Sequence, residues 1–395
     1  MKLSLMRISQ LGRVVTGKTP LTSRQEFFGG EYLFVTPSDL EYDHYYCRAT
    51  ERSVTEEAKS VLPKQFIPPD AVMFTCIGAT IGKCAIAPAE CLTNQQINSV
   101  VANRHTDAKF LYYALCHNVA VVKGLGGGSA TPIVSKSKFA DIEILVPPLC
   151  EQSAIGQILS GYDDLIENNR RRMALLEDAA RQIYNEWFVR LRFPGYEHNR
   201  IIDGVPDGWK RKMLAELCEN IRESVSPDTL DPGTPYIGLE HIPRRSISLN
   251  EWSTSDQVTS TKFRFREGEI LFGKIRPYFH KVGITFVDGV ASSDAIVIRS
   301  NDPRLRGLLL MTVSSDHFVA ETSQSMKEGS KMPRADWKQM QEYVVPLPPD
   351  GLLDHFQYTI QTIVEQLKTL TFANQRLRYA RDLLLPRLMS GELAV

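Results

Sequence analysis

Residues 151–190 constrain this chain more than any other stretch: forty residues with no proline and only two glycines, both near the start. Ile155, Tyr162, Asn169, Leu176 and Ile183 recur every seven positions, and Leu159, Ile166, Met173, Ala180 and Trp187 repeat the interval four residues later. That is a heptad seam, interrupted by the polar Asn169 alone. As a helix it would be about 60 Å long. A rod this long with so narrow an apolar stripe needs a partner helix, and the chain supplies one. Phe356, Ile363, Leu370, Leu377 and Leu384 are spaced by seven; Ile360 and Leu367 interleave, and the polar Asn374 and Arg381 continue that second series. Pro386 and then Gly391 are expected to close the second rod.

What precedes each rod is also duplicated. Gly128-Ser129-Ala130-Thr131-Pro132 leads to Val146-Pro147-Pro148-Leu149, and Gly329-Ser330-Lys331-Met332-Pro333 leads to Pro346-Leu347-Pro348-Pro349. Two units of domain plus rod are the simplest reading of a repeat this long. Residues 1–149 then form a first domain, 150–190 the first long helix and 191–209 a linker rich in Pro and Gly. Residues 210–349 form a second domain, and 350–395 the second long helix with a tail. The fold class expected is α/β (α+β): two globular domains and two long antiparallel helices in coiled-coil packing, with an internal pseudo-twofold duplication.

Composition fits a globular protein, 43% apolar and 23% charged. No apolar run approaches a membrane span, and the N-terminus has no secretory core. Seven cysteines form no C-x-x-C pair, and six fall in the first half. Neither a disulfide framework nor a zinc ribbon is indicated, so a cytoplasmic setting is expected. The formal net charge is zero, with 46 basic and 46 acidic side chains. Any nucleic-acid contact must therefore come from a local patch.

In the first domain, residues 3–15 read as a short amphipathic opening and residues 32–36 as a strand turning at Pro37-Ser38-Asp39-Leu40. Residues 71–77 are a buried strand broken by Gly78-Ala79-Thr80-Ile81-Gly82-Lys83; strands resume at 84–87 and, past Thr93-Asn94-Gln95-Gln96, at 97–101. Residues 109–123 read as one helix. The second half repeats the order: residues 235–242 match the first half's FVTPSDL, residues 269–275 match VMFTCIG, Lys281 falls where Lys83 does, and Ser292-Ser293-Asp294-Ala295-Ile296 stands in place of TNQQI.

No catalytic constellation emerges. Gly78-x-x-x-Gly82-Lys83 has three intervening residues where a P-loop has four, and Cys84 stands where Ser or Thr should hold Mg²⁺. The glycine run 124–128 follows a helix, so it is not a dinucleotide loop. The eight histidines show no metal spacing. Asp163-Asp164 reads as a solvated pair beside the seam. No cofactor is implied, and the chain by itself is expected not to be an enzyme.

The order and duplication of these motifs resemble the DNA-specificity subunits of type I restriction-modification systems. The residues that carry the resemblance are Val146-Pro147-Pro148-Leu149 with Glu151-Gln152, then Ile158-Leu159, Asp163 and Ile166. Glu186-Trp187-Phe188 ends the first rod and residues 384–393 end the second; Pro206-Asp207-Gly208-Trp209 opens the second domain, and Thr93-Asn94-Gln95-Gln96-Ile97 lies in the first. The resemblance implies two target-recognition domains, each reading half of a split double-stranded DNA sequence, with the helices setting the spacer. A rod of about 50 Å matches roughly 15 base pairs. It further implies two docked modification subunits carrying the methyltransferase, and a restriction subunit supplying nuclease and motor. The chain departs from the pattern in lacking a Pro-x-Gly-Trp opening in its first domain and a Glu-Gln pair at the start of its second rod. Two rival readings keep DNA binding but change the setting: a related combined nuclease-methyltransferase, or a free-standing regulatory protein.

Candidate DNA contacts lie in the polar interruptions between strands. Asn94, Gln95 and Gln96 carry amides suited to the adenine edge, the alternative being that they cap strands. Lys83 and Lys281, matched across the halves, are candidates for phosphates, as is Lys18; Thr80 shares the loop of Lys83. In the second domain Lys274, Arg276, Tyr278 and His280 form a basic loop with an aromatic, and Arg276 is a candidate for guanine. His241 and Ser293 occupy the neighbouring interruptions. Near the rods, Ser129, Lys136, Lys138, Lys331 and Arg334 are weaker candidates.

Overall fold

The computed structural model describes residues 2–126, 132–324 and 332–395. By packing, the chain forms two compact units, Met1–Asn169 with Asn374–Val395, and Arg170–Ala373. Packing thus groups part of each long helix with a sheet-bearing domain, whereas the sequence reading counts the helices as elements of their own.

In the first unit, Gly12–Thr16, Ile97–Ala102, Val72–Thr75 and Cys84–Ile86 form one antiparallel sheet in that order. A second sheet runs Arg52–Val54, Phe28–Val35, Cys91–Thr93 and Phe66–Ile67, with Phe28–Val35 and Cys91–Thr93 parallel. The strand Val72–Thr75 is buried on both faces. Val72 and Phe74 pack with Phe110 and Tyr113 of the helix Ala108–His117 and with Ile155 and Leu159. Met73 points the other way, among Val35, Ile67 and Cys91 of the second sheet. A strand covered on both sides reads as a continuous apolar run, which is why no alternation marks it in the sequence.

The second unit repeats this plan. Cys218–Ile221, Ala295–Ser300, Ile270–Gly273 and Val282–Ile284 form its antiparallel sheet. Its other sheet runs Ser224–Val225, Lys262–Phe265, Gly289–Ala291, Pro235–Ile237 and Ser253–Thr254, again with one parallel pair, Pro235–Ile237 beside Gly289–Ala291. Read from its far edge, the order is that of the first unit with Ser224–Val225 added. Ile270 and Phe272 face the core that holds Phe356 and Ile360, and Leu271 faces Ile237 and Phe265.

The two rods are helices, Leu149–Tyr184 and Asp350–Met389. The first is extended by a π-helical turn, Asn185–Val189. In the first unit Asp163 meets Arg381 and Asn169 meets Asn374, so the two helices run antiparallel there. In the second unit Trp187 lies 5.5 Å from Phe356, and Phe188 packs edge-on to Phe356 at 4.7 Å and lies 5.5 Å from Trp209. The series Ile155, Leu159, Ile166, Met173 and Ala180 is buried, as are Phe356, Ile360, Ile363, Leu367 and Leu370.

Four local expectations need correction. Residues 3–15 are two strands, Ser4–Arg7 and Gly12–Thr16, joined by a single helical turn, Ile8–Leu11. The helix expected over 109–123 is two, Ala108–His117 and Val119–Gly124, because Asn118 leaves helical geometry and its side-chain amide donates to the Ala114 carbonyl at 2.8 Å. The second rod does not stop at Pro386; the helix runs through it to Met389, with Pro386 on the exposed side. Asp163 is not solvated: it is 3% exposed, receives the Tyr113 hydroxyl and pairs with Arg381, while Asp164 is exposed.

Candidate nucleic-acid interface

In both units the sheets end together at one rim. In the first, Thr75 pairs with Ile97 and Val35 with Thr93, so the loops 36–44, 76–83 and 93–96 emerge side by side. In the second, Gly273 pairs with Ala295 and Ile237 with Ala291, which gathers 238–245, 274–281 and 292–294.

The two rims share their main-chain hydrogen bonds. Gly78 N–H donates to the Pro132 carbonyl at 2.8 Å, and Arg276 N–H to Pro333 at 2.9 Å. Cys76 N–H donates to Gln96 at 2.9 Å, and Lys274 N–H to Asp294 at 2.8 Å. The duplicated lysines do the same work in both. Lys83 Nζ donates to the Pro37 carbonyl at 3.1 Å, and Lys281 Nζ donates to Leu239, the matching residue. Each ties down the loop that follows the parallel strand. Burial, with Arg244 nearby, lowers the pKa of Lys281. Burial and then Arg222 lower that of Lys274, whose ammonium donates to the Ser293 carbonyl at 2.7 Å.

The remaining candidates divide into anchors and exposed groups. Asn94 is buried and its Oδ1 accepts the Gln96 N–H at 3.0 Å, a capping role. Gln95 is exposed and accepts the Thr19 hydroxyl at 2.8 Å; Lys18, also exposed, donates its backbone N–H to Thr93 at 2.9 Å. Thr80 donates its hydroxyl to Ile77 at 2.7 Å. His241 Nδ1 accepts the Gly238 N–H at 2.9 Å. His280 is buried, its Nε2 2.8 Å from the Ser314 carbonyl, and burial lowers its pKa. Arg334 pairs with Asp294 at 3.4 Å and joins Lys274 and Ser293 in one cluster. Arg276, Tyr278 and Ser293 are exposed. Lys136 and Lys138 are exposed on a separate short helix, Lys136–Ala140. Ser129 and Lys331 lie outside the described residues.

Three residues at the rims escaped sequence reading: Tyr42, Lys123 and Arg244. Tyr42, 55% exposed, donates its hydroxyl to the Ala79 carbonyl at 3.0 Å and has Lys83 and Lys123 within 5.7 Å and 5.9 Å of its ring. In the second unit the ring is Phe279, with the Arg244 guanidinium at 4.1 Å and that of Arg276 at 5.8 Å. Ring and cation sit at different positions in the two halves, so matching one half to the other could not find them. Cations held beside rings at a rim are suited to contact a polyanion and its bases.

A family profile described as "Type I restriction modification DNA specificity domain" matches residues 2–178 and again 206–378. The type I restriction enzyme MjaIX specificity subunit of Methanocaldococcus jannaschii is 26% identical over 412 residues, covering 98% of this chain and 93% of that protein. The EcoDI specificity subunit of Escherichia coli is 24% identical over 61% of this chain and 59% of its own length. In fold, the chain is similar to the crystal structure of the type I system S subunit from M. genitalium, with a TM-score of 0.60 at 16% identity over 98% of this chain and 96% of that one. The profile matches nearly the whole chain, in two copies that coincide with the internal repeat, and the chain belongs to the type I restriction-modification specificity subunits, DNA-binding members of these complexes that are not themselves enzymes.

Proposed function

We propose that each rim reads one half of a split DNA sequence and that the two long helices carry the fixed interval between the halves. The observation that supports this most is the duplicated rim itself: the same main-chain bonds and the same loop-tying lysine, but different exposed side chains. A common scaffold with Tyr42 and Lys123 on one copy and Arg244, Arg276 and Phe279 on the other suits two unlike half-sites. Phosphate contacts position a protein on the duplex and base contacts specify the sequence, so a shared frame with exchanged tips is a sensible division of labour.

Two modification subunits dock on the helices in this reading, and the nuclease-motor subunit joins through them. The helices expose apolar side chains suited to docking: Ile158 and Leu165 on the first, Tyr358, Tyr379 and Leu383 on the second. With the repeat aligned on its proline breaks, Ile158 and Leu165 correspond to Thr359 and Gln366, so the two docking faces are expected to differ in detail.

Exchange of residues 1–149 for the matching segment of a relative with another target tests this reading, with the full chain co-expressed with its modification partner. Mapping of methylated bases should show one block of the target replaced and the other block and gap kept. A change in both blocks, or in neither, would contradict it.

A further inference from the structure

We propose that Arg276 reads a guanine in the half-site of the second domain, donating from its guanidinium fork to O6 and N7 in the major groove. This rests on the half-site reading above and assigns one base contact within it.

Arg276 and His280 bracket a single 3-10 turn, Pro277–Phe279, and both are left-handed, at φ +49° and +54°. In the matching loop of the first domain the two left-handed positions, again four residues apart, are Gly78 at +58° and Gly82 at +100°, and the 3-10 turn there is Gly78–Thr80. The turn needs two left-handed positions, and glycine takes them without strain. The second domain puts an arginine and a histidine there instead. Strained non-glycine residues of this kind gather at binding sites, where the surroundings hold them in place.

The surroundings here do hold them. The Arg276 N–H is bonded to the Pro333 carbonyl, and the buried His280 ring fixes the far end of the turn on Ser314. The Arg276 side chain is exposed, and its guanidinium stays near the Phe279 ring, which also carries Arg244. Among the described residues no carboxylate pairs with Arg276, whereas its neighbour Arg334 is neutralised by Asp294. An unpaired, oriented fork on a strained turn is the donor pattern that guanine offers acceptors for, and a bidentate pair of this kind discriminates by roughly 10- to 100-fold.

The test uses the full chain co-expressed with its modification partner, comparing wild type with Arg276→Gly and Arg276→Lys by genome-wide mapping of methylated bases. Glycine is the residue the turn accepts in the first domain, so Arg276→Gly should melt no lower than wild type. One G·C position in one block should lose roughly 10- to 100-fold of its preference in Arg276→Gly, with the other block unchanged. Arg276→Lys should lose it too, since lysine keeps the charge without the fork. A split wild-type target that persists at full stringency in Arg276→Gly would overturn the assignment alone. So would loss of methylation in Arg276→Gly with the wild-type target kept in Arg276→Lys, the mark of a phosphate contact. A continuous wild-type target would overturn the half-site reading beneath it.

Discussion

His280 shows how a single residue of the rim couples its geometry to pH. Its ring is buried against the Ser314 carbonyl, with Asp316 3.5 Å away, and Arg245 and Arg181 also face it. Burial lowers its pKa from the ordinary value near 6.5; Ser314 and Asp316 oppose this in part, and the two arginines add to the lowering. A histidine whose folded pKa is depressed lends stability that is present above its unfolded pKa and lost as pH falls through the folded value. The second domain should therefore lose melting temperature as the pH drops below about 6.5. His280→Asn, which tolerates the left-handed backbone and does not titrate, should show a smaller drop; equal slopes would exclude His280 as the source. Lys83 and Lys281 teach a related lesson. Their pairing across the halves was legible in the sequence, but their hold on Pro37 and Leu239 was not. A lysine reads as exposed until a carbonyl from a distant loop is placed beside it.

At the scale of elements, the apolar seam was legible because heptad spacing is a local property. A second set of contacts on the rods was not. Asp163 and Glu177 are buried, yet both are acids, which a pattern of polar and apolar residues assigns to solvent. Their partners are remote in sequence: Tyr113 and Arg381 for Asp163, and Ser246 and Ser248 for Glu177. Arg381 lies between Asp163 and Asp43, and burial pushes the Asp163 carboxyl up in pKa while Arg381 opposes it. Removing the cation strands a buried carboxylate. Arg381→Met should destabilise the protein by about 3–5 kcal/mol in denaturant titration, and Asp163→Asn by less, because it removes the charge that needs compensation. The Asn169 amide donates to Asn374 at 2.9 Å within the seam. Asn169→Leu should cost about 1–3 kcal/mol by taking a partner from the buried Asn374. Adding Asn374→Leu should recover most of that loss, since two facing leucines suit a heptad seam. A double variant no more stable than the single would show that the amide pair does more than interrupt the seam.

Across the whole molecule, the duplication was legible from the order of its motifs, and it extends to strand order and main-chain bonds. The additional strand Ser224–Val225 was not, because two short residues at a sheet edge carry no pattern of their own. Nor was the rim ring of Tyr42, which has no aromatic at the matching position of the second half. The molecule is thus a repeated frame with dissimilar tips, and no described helix is long and apolar enough to cross a membrane. On the proposed half-site reading, dissimilar tips on a common frame require a target whose two blocks differ. The most direct measurement is the target of the unaltered chain: co-express it with its modification partner and map methylated bases across the host genome by direct sequencing. The expected result is two short, unlike blocks separated by a gap of constant length. A continuous target, or two blocks whose gap varies from site to site, would contradict it.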